Sequence, residues 1–249
     1  MRIHLILFDI DGTLVDAGGA GRRALLRAFG EVFDPASLSS AGRVPFGGKT
    51  DVAIFREMAH EMGVDAASLE SKRADLERAY EAALRHELRI EGPRQRVLPG
   101  VLALLDALTT RPDARVGLLT GNIAIGARLK LERFDLFRFF DGGGFGDDAK
   151  NRRGVARAAV RDMSKRTGID FPASDVVVVG DTDNDVDCAR ANRFRSFAVD
   201  TGFATPGSLA KARPDALFDD LSDTNAVLKT IFETGSDRAH EGAGSDPSG

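Results

Sequence analysis

The apolar positions of this chain change their period along its length. Residues 3–8 form an almost unbroken apolar run, which predicts a buried strand. From Gly18 the period becomes helical. Leu25, Phe29, Val32 and Phe33 share one face, then Val52, Phe55, Met58 and Met62, then Leu69, Leu76, Tyr80 and Leu84, with Asp65 as the N-cap of the third helix. Residues 17–95 therefore read as an inserted all-helical unit without a strand, and Gly92-Pro93 marks its exit. Beyond it, Val101, Leu102, Leu105 and Leu108 predict a helix, 115–119 a strand, and Ile123, Ala127 and Leu131 a further helix. A short strand is expected within 139–145, a helix on Val155, Ala159 and Met163, a buried strand over 176–179 and another over 196–199. Strands alternating with helices predict an α/β class with a parallel, Rossmann-like core sheet covered on both faces. The expected organisation is a core of residues 1–16 and 96–234, a helical insertion of 17–95, and a disordered tail of 235–249, rich in Gly, Ser and charge without an apolar face.

Composition narrows the function more by exclusion. A chain of 249 residues suffices for one large domain or two small ones. The net charge of -4, with Lys and Arg scattered among acids, leaves no nucleic-acid footprint. No apolar run reaches membrane-spanning length, and the N-terminal apolar stretch meets an acidic pair too soon for a signal peptide. The single Cys188 excludes an intrachain disulfide and reads as a small core residue; a reducing compartment, the cytoplasm, is expected. His4, His60, His86 and His240 show no metal-ligand spacing.

The chemistry concentrates where strands run out. Asp9 and Asp11 stand two residues apart after the first strand, followed by Gly12 and Thr13. In extended backbone both carboxylates point the same way, and like charges that close need a cation or a shared proton. The pair suits a nucleophile, an acid/base and a bound divalent metal, set against a capping Asp or a solvated turn. A calcium-binding EF-hand loop is excluded: the lead-in is strand-like, and the twelfth loop position is Ala20 rather than Glu. Thr120 and Asp181 also fall just past strand ends, where ligands of parallel sheets bind.

Four separated segments together resemble the haloacid dehalogenase (HAD) superfamily, in its phosphatase branch with a small helical cap, of the phosphoglycolate phosphatase type. They are Asp9-Ile10-Asp11-Gly12-Thr13, Leu118-Leu119-Thr120-Gly121-Asn122, a basic residue within Lys150-Asn151-Arg152, and Gly180-Asp181-Thr182-Asp183-Asn184-Asp185. The resemblance implies Asp9 as nucleophile, attacking phosphorus to give an aspartyl-phosphate, and Asp11 as acid/base. It implies Mg²⁺ held by Asp9, Asp181 and the Asp11 carbonyl, with Asp185 holding a metal-bound water. Gly12 and Thr13 then aim amides at the phosphoryl oxygens. Thr120 supplies a hydroxyl, and the amides of Gly121 and Asn122 open the next helix as an anion site. Asp183 caps the helix that follows. The basic segment departs from the family pattern, lacking the usual Pro. Spacing to the following helix favours Lys150, and likeness to relatives that read Asp-Arg favours Arg152, on which the balance falls. Arg43 and Lys49, in or near Gly47-Gly48-Lys49-Thr50-Asp51, are candidates to meet the leaving group from the cap, against a plain helix cap with a solvated Lys. A nucleotide phosphate loop is excluded there by the position of the Lys.

The expected function is hydrolysis of a small phosphorylated metabolite, with a phosphorylated acid such as phosphoglycolate as the lead. The alternatives are a sugar-phosphate mutase with the same machinery, a hydrolytic dehalogenase, against which Asp11 counts, and a non-catalytic binding module, against which the full acidic set counts. The physiological substrate and the oligomeric state are not legible in these residues.

Overall fold

The structure, a computed structural model, describes residues 2–33, 35, 38–90, 95–202, 204–205 and 207–232. The tail over 235–249 and the Gly92-Pro93 exit lie outside the described residues.

The core is a six-stranded parallel sheet ordered β5-β4-β1-β6-β7-β8. Its strands are β1 (His4–Phe8), β4 (Ala114–Leu119), β5 (Gly143–Gly144), β6 (Val176–Gly180), β7 (Arg195–Val199) and β8 (Ala216–Phe218). The central strand shows why the apolar run is unbroken. Ile6 and Phe8 pack into a cluster with Val116, Leu118, Val177 and Val179 on one face of the sheet. Leu5 and Leu7 join Leu119, Val176, Val178, Ala159 and Met163 on the other. Alternate side chains leave a strand on opposite sides, so a strand covered twice must be apolar throughout. Helices α6 (Val101–Thr109), α7 (Ala124–Arg133) and α11 (Thr224–Phe232) contribute to the first cluster, and α8 (Arg152–Thr167) and α9 (Asp183–Ala191) to the second. A short α10 (Ser208–Ala212) packs on α9.

Between β1 and β4 the chain builds the helical unit: α1 (Ala20–Val32), α2 (Leu38–Ala41), α3 (Asp51–Glu61), α4 (Ala66–Ser71) and α5 (Arg73–Arg89). Its core joins Leu25, Phe29, Phe55, Met58, Leu76, Tyr80 and Leu84, largely the residues that carry the helical period. Ile123 and Leu129, at and on α7, complete that cluster, so the unit closes its apolar face against the sheet domain.

Three differences from expectation have local causes. The unit is entered and left through an antiparallel ribbon, β2 (Val15–Ala17) on β3 (Gln95–Val97), with Val15 opposite Val97. Three-residue strands are too short to declare a period. The third helix is two: Asp65 does cap, accepting from Ser68 N at 2.9 Å, but it caps α4, and the chain re-enters a helix at Arg73. The apolar face continues across that break, so periodicity cannot see it. At the edge, β8 falls in a segment for which no strand was expected, and its exposed Leu217 carries no core signal.

Candidate active site

Parallel pairing brings the carboxyl ends of β4, β1 and β6 to one edge: Phe8 is in register with Leu118 on one side and Val179 on the other. The residues that follow, Asp9, Thr120 and Asp181, therefore converge. Asp9 N–H donates to Val179 O at 3.0 Å, which still holds it to the sheet while its side chain turns to the edge. Asp9 is buried, and Thr120 and Asp181 are fully so.

Gly12 is forced by this crowding. Its φ is +84°, and a Cβ there would lie 2.4 Å from Asp181 Oδ2. Next to it Thr13 donates its hydroxyl to Asp181 Oδ1 at 3.2 Å.

Ligand-type oxygens of Asp9, Asp181 and Asp185 lie within 4.8 Å of one another, all buried. Facing them is Arg152, on the first turn of α8, 2.8 Å from Asp9 Oδ2 and paired also with Asp185. Burial alone would lower the Arg152 pKa; Asp185 and Asp9 more than reverse that. Burial pushes the Asp9 carboxyl up to about 6; Arg152 opposes this, and Asp185 and Asp11 add to it. Three buried carboxylates against one guanidinium leave surplus negative charge, which a hard cation with oxygen ligands relieves. The donor set thus fits Mg²⁺. Arg152 Nε is buried without a hydrogen-bond partner, while its Nη2 serves both Asp9 and Asp185.

The structure separates the two candidate cations. Lys150 is exposed, whereas Arg152 is buried on Asp9. Asp185 has a second task. Its Oδ2 accepts from Thr182 N at 3.1 Å and Thr182 Oγ1 at 2.7 Å, a reciprocal capping box that starts α9. Thr182, not Asp183, is therefore the N-cap, and Asp183 is exposed. Likewise α7 begins later than expected, with Ile123 as its N-cap; Gly121 and Asn122 lie in the loop before it. Thr120 Oγ1 accepts from Asn122 N at 3.2 Å and Asn122 Nδ2 at 2.8 Å.

A cavity of about 460 Å³ opens between this edge and the helical unit, lined by Asp9, Asp11, Asn122 and Arg152 from the sheet side and by Arg22, Phe46 and Lys49 from the helices. Lys49 pairs with Glu57 at 2.5 Å, and Thr50 caps α3, accepting from Ala53 N at 3.2 Å. Arg43 is exposed and lines a different surface depression with Pro45, Arg56 and His60, so it does not face Asp9. Its proximity in sequence to Lys49 is undone by the turn at 42–48.

Two residues here were given no role by the sequence: Lys130, outside every motif, and Asp51, at the end of the Gly47–Asp51 segment. Lys130 is buried and its ammonium reaches Asp11 Oδ2 and Asn122 Oδ1, the latter at 2.6 Å. Asp51 ties the helical unit to the loop after β4: its N–H donates to Gly121 O at 2.7 Å and its Oδ2 accepts from Ile123 N at 2.9 Å. Lys130 was visible in one respect, since it stands three residues after Ala127 on a face otherwise apolar. Cys188 is buried in α9, and burial raises its thiol to about 12, as befits a packing residue. Among the described residues no helix is long and apolar enough to cross a membrane.

The family model for haloacid dehalogenase-like hydrolases matches residues 3–192. A phosphoglycolate phosphatase of Agrobacterium fabrum is 28% identical over 240 residues, covering 92% of each chain. A phosphoglycolate phosphatase of Pseudomonas syringae pv. tomato is 30% identical over 230 residues, covering 87% of this chain and 76% of that one. Among solved structures, CbbY from Rhodobacter sphaeroides in complex with phosphate superposes with a TM-score of 0.66 at 22% identity, covering 89% of this chain and 96% of the other. That likeness concerns the fold.

Proposed function

This chain belongs to the haloacid dehalogenase-like hydrolases and is a phosphatase of that family, and we propose that it hydrolyses small phosphomonoesters with Mg²⁺ through an aspartyl-phosphate on Asp9. The observation that carries the reading is the buried Asp9 carboxylate at a strand end, 2.8 Å from Arg152, with Asp181 and Asp185 beside it. In the same reading the helical unit of 17–95 is a cap over the core of 1–16 and 96–234, and a phosphorylated acid of the phosphoglycolate kind is the first substrate to try. The single cysteine favours a cytoplasmic setting.

Asp9 attacks phosphorus as the ester P–O bond breaks, and Asp11 gives its proton to the departing alkoxide. Asp11, now a carboxylate, takes a proton from water as that water attacks the aspartyl-phosphate. Phosphate leaves and Asp9 is regenerated. Arg152 balances charge on the phosphoryl oxygens, with the hydroxyl of Thr120 and the Gly121 and Asn122 amides at the same edge. Asp9, Asp181 and the Asp11 carbonyl would hold Mg²⁺, with Asp185 beside them to hold a water, and the ion would supply further charge neutralisation.

A phosphate-release screen over phosphorylated metabolites, with Mg²⁺ and with EDTA, tests the class. The expected result is release that EDTA abolishes and that needs no phosphorylated activator; a requirement for such an activator would favour a mutase. Rapid quench should place label on Asp9, and Asp9→Asn should be folded and inactive. Label on a His or Ser would overturn the mechanism.

A further inference from the structure

We propose that Lys130 is a positioning residue for the acid/base step, its buried ammonium fixing the side chain of Asp11 jointly with Asn122. The proposal rests on the reading of Asp11 as acid/base.

Lys130 sits on α7 between Leu129, which packs into the core of the helical unit, and Leu131, which packs into the core of the sheet domain. The helix thus runs along the seam, and Lys130 points into the cavity at that seam. Its Nζ is shared between Asp11 Oδ2 and Asn122 Oδ1. Asn122 uses its other end as well: Nδ2 donates to Asp11 Oδ2 and to Thr120 Oγ1, both at 2.8 Å. Asp11 Oδ2 is thereby held from two directions by groups that are themselves held, one of them tied to a second residue at the strand edges.

A merely structural ion pair does not account for this arrangement. Burying an ammonium costs several kcal/mol, on the order of what the pair returns, and an apolar side chain of similar volume commonly serves stability as well. The helix opposite also makes room. Gly21, in the first turn of α1, would place a Cβ 3.2 Å from Lys130 Nζ. A glycine in a helix costs up to about 0.5–1 kcal/mol relative to Ala, yet the bare face of Gly21 is where the ammonium lies. Sequence and packing both give up stability to keep one cation against one carboxylate. That carboxylate has to meet a leaving oxygen in line, a task in which a displacement of about 1 Å costs about 10²-fold.

The test compares an alkyl phosphomonoester, whose alkoxide needs its proton, with p-nitrophenyl phosphate, whose phenolate does not. Lys130→Met should lower kcat/KM on the alkyl ester by about 10²-fold and leave kcat/KM on the aryl ester within about threefold. That ratio reads only the steps up to the aspartyl-phosphate, whereas kcat on both esters also falls through its hydrolysis, which uses Asp11 as base. Gly21→Val keeps every charged group and crowds the ammonium, and should give the same selectivity at about tenfold; it decides the matter if Lys130→Met does not fold. Equal loss of kcat/KM on both esters, or no loss, in the folded variants would overturn the proposal. Asp11→Asn, assayed in parallel, separates the two levels. If it lacks the alkyl-selective loss, the reading of Asp11 is wrong; if it shows the loss and Gly21→Val and Lys130→Met do not, only the role of Lys130 falls.

Discussion

Arg152 and Lys150 stand two residues apart, and one of them should be dispensable. Arg152 lies between two buried carboxylates, so removing it leaves Asp9 and Asp185 facing each other without a cation. Breaking a buried pair from one side costs about 3–5 kcal/mol. Arg152→Ala should therefore lower both the melting temperature and kcat, the latter by at least about 10²-fold, as expected for a group that balances transition-state charge. Lys150→Ala should be close to wild type in both. Comparable losses in the two variants would reverse the assignment. What made the acidic residues legible is that they follow apolar strands: Asp9 and Asp181 are marked by the runs that end at them. Arg152 is marked only by lying near the start of a helix, and whether a helix begins one residue earlier or later decides which basic residue turns inward. Lys130 was harder still. A lysine on an apolar face reads by default as one whose head reaches water, and only the approach of Asp11 from a different strand end turns it inward.

The elements repeat this lesson. Long helices and central strands declared themselves through period, whereas the β2–β3 ribbon, the break between α4 and α5 and the edge strand β8 did not, because short pairings are set by tertiary contact rather than by their own pattern. The docking of α3 belongs to the same class. Asp51 looks like an ordinary first-turn acid, but its carboxylate bonds Ile123 N across the seam. Burial pushes its pKa up to about 6 from 3.8; Lys130 opposes the shift, and Asp11 and Asp147 add to it. The folded protein thus holds this proton more tightly than the unfolded chain. The stabilisation is complete below the unfolded value and is lost as pH rises through about 6. Asp51→Asn keeps an acceptor for Ile123 N–H and cannot ionise. Its melting temperature should exceed that of wild type by a few degrees at pH 7.5, and the gap should close towards pH 4. Other titrating groups cancel in the difference between the two proteins. A variant less stable than wild type at pH 7.5 would mean that the ionised carboxylate is favoured at the seam.

At the scale of the molecule, the site is a point where separate parts of the chain are held against their electrostatic preference. Asp9 and Asp11 leave β1, Asp181 and Asp185 follow β6, and Arg152 comes from α8. These are neighbours in the sheet and far apart in sequence, so the unfolded chain does not assemble them. A divalent cation that binds the three buried carboxylates in the folded state and not in the unfolded one must raise stability by mass action. At a Mg²⁺ concentration of about 100 times Kd the gain is about 2.7 kcal/mol. For a chain of this size that corresponds to a rise in melting temperature of about 5–10 °C. The gain should saturate with Mg²⁺ and disappear on EDTA. Asp181→Asn should remove most of it, because Asp181 is fully buried among the ligand-type oxygens. Asp183→Asn should leave it intact, since Asp183 is exposed in the same acidic segment and only nonspecific screening would reach it. Thermal melts of the three proteins across a Mg²⁺ titration make the comparison without any substrate. If the two variants respond alike, the stabilisation is diffuse counter-ion binding to an acidic surface, and the buried cluster is not where the metal sits.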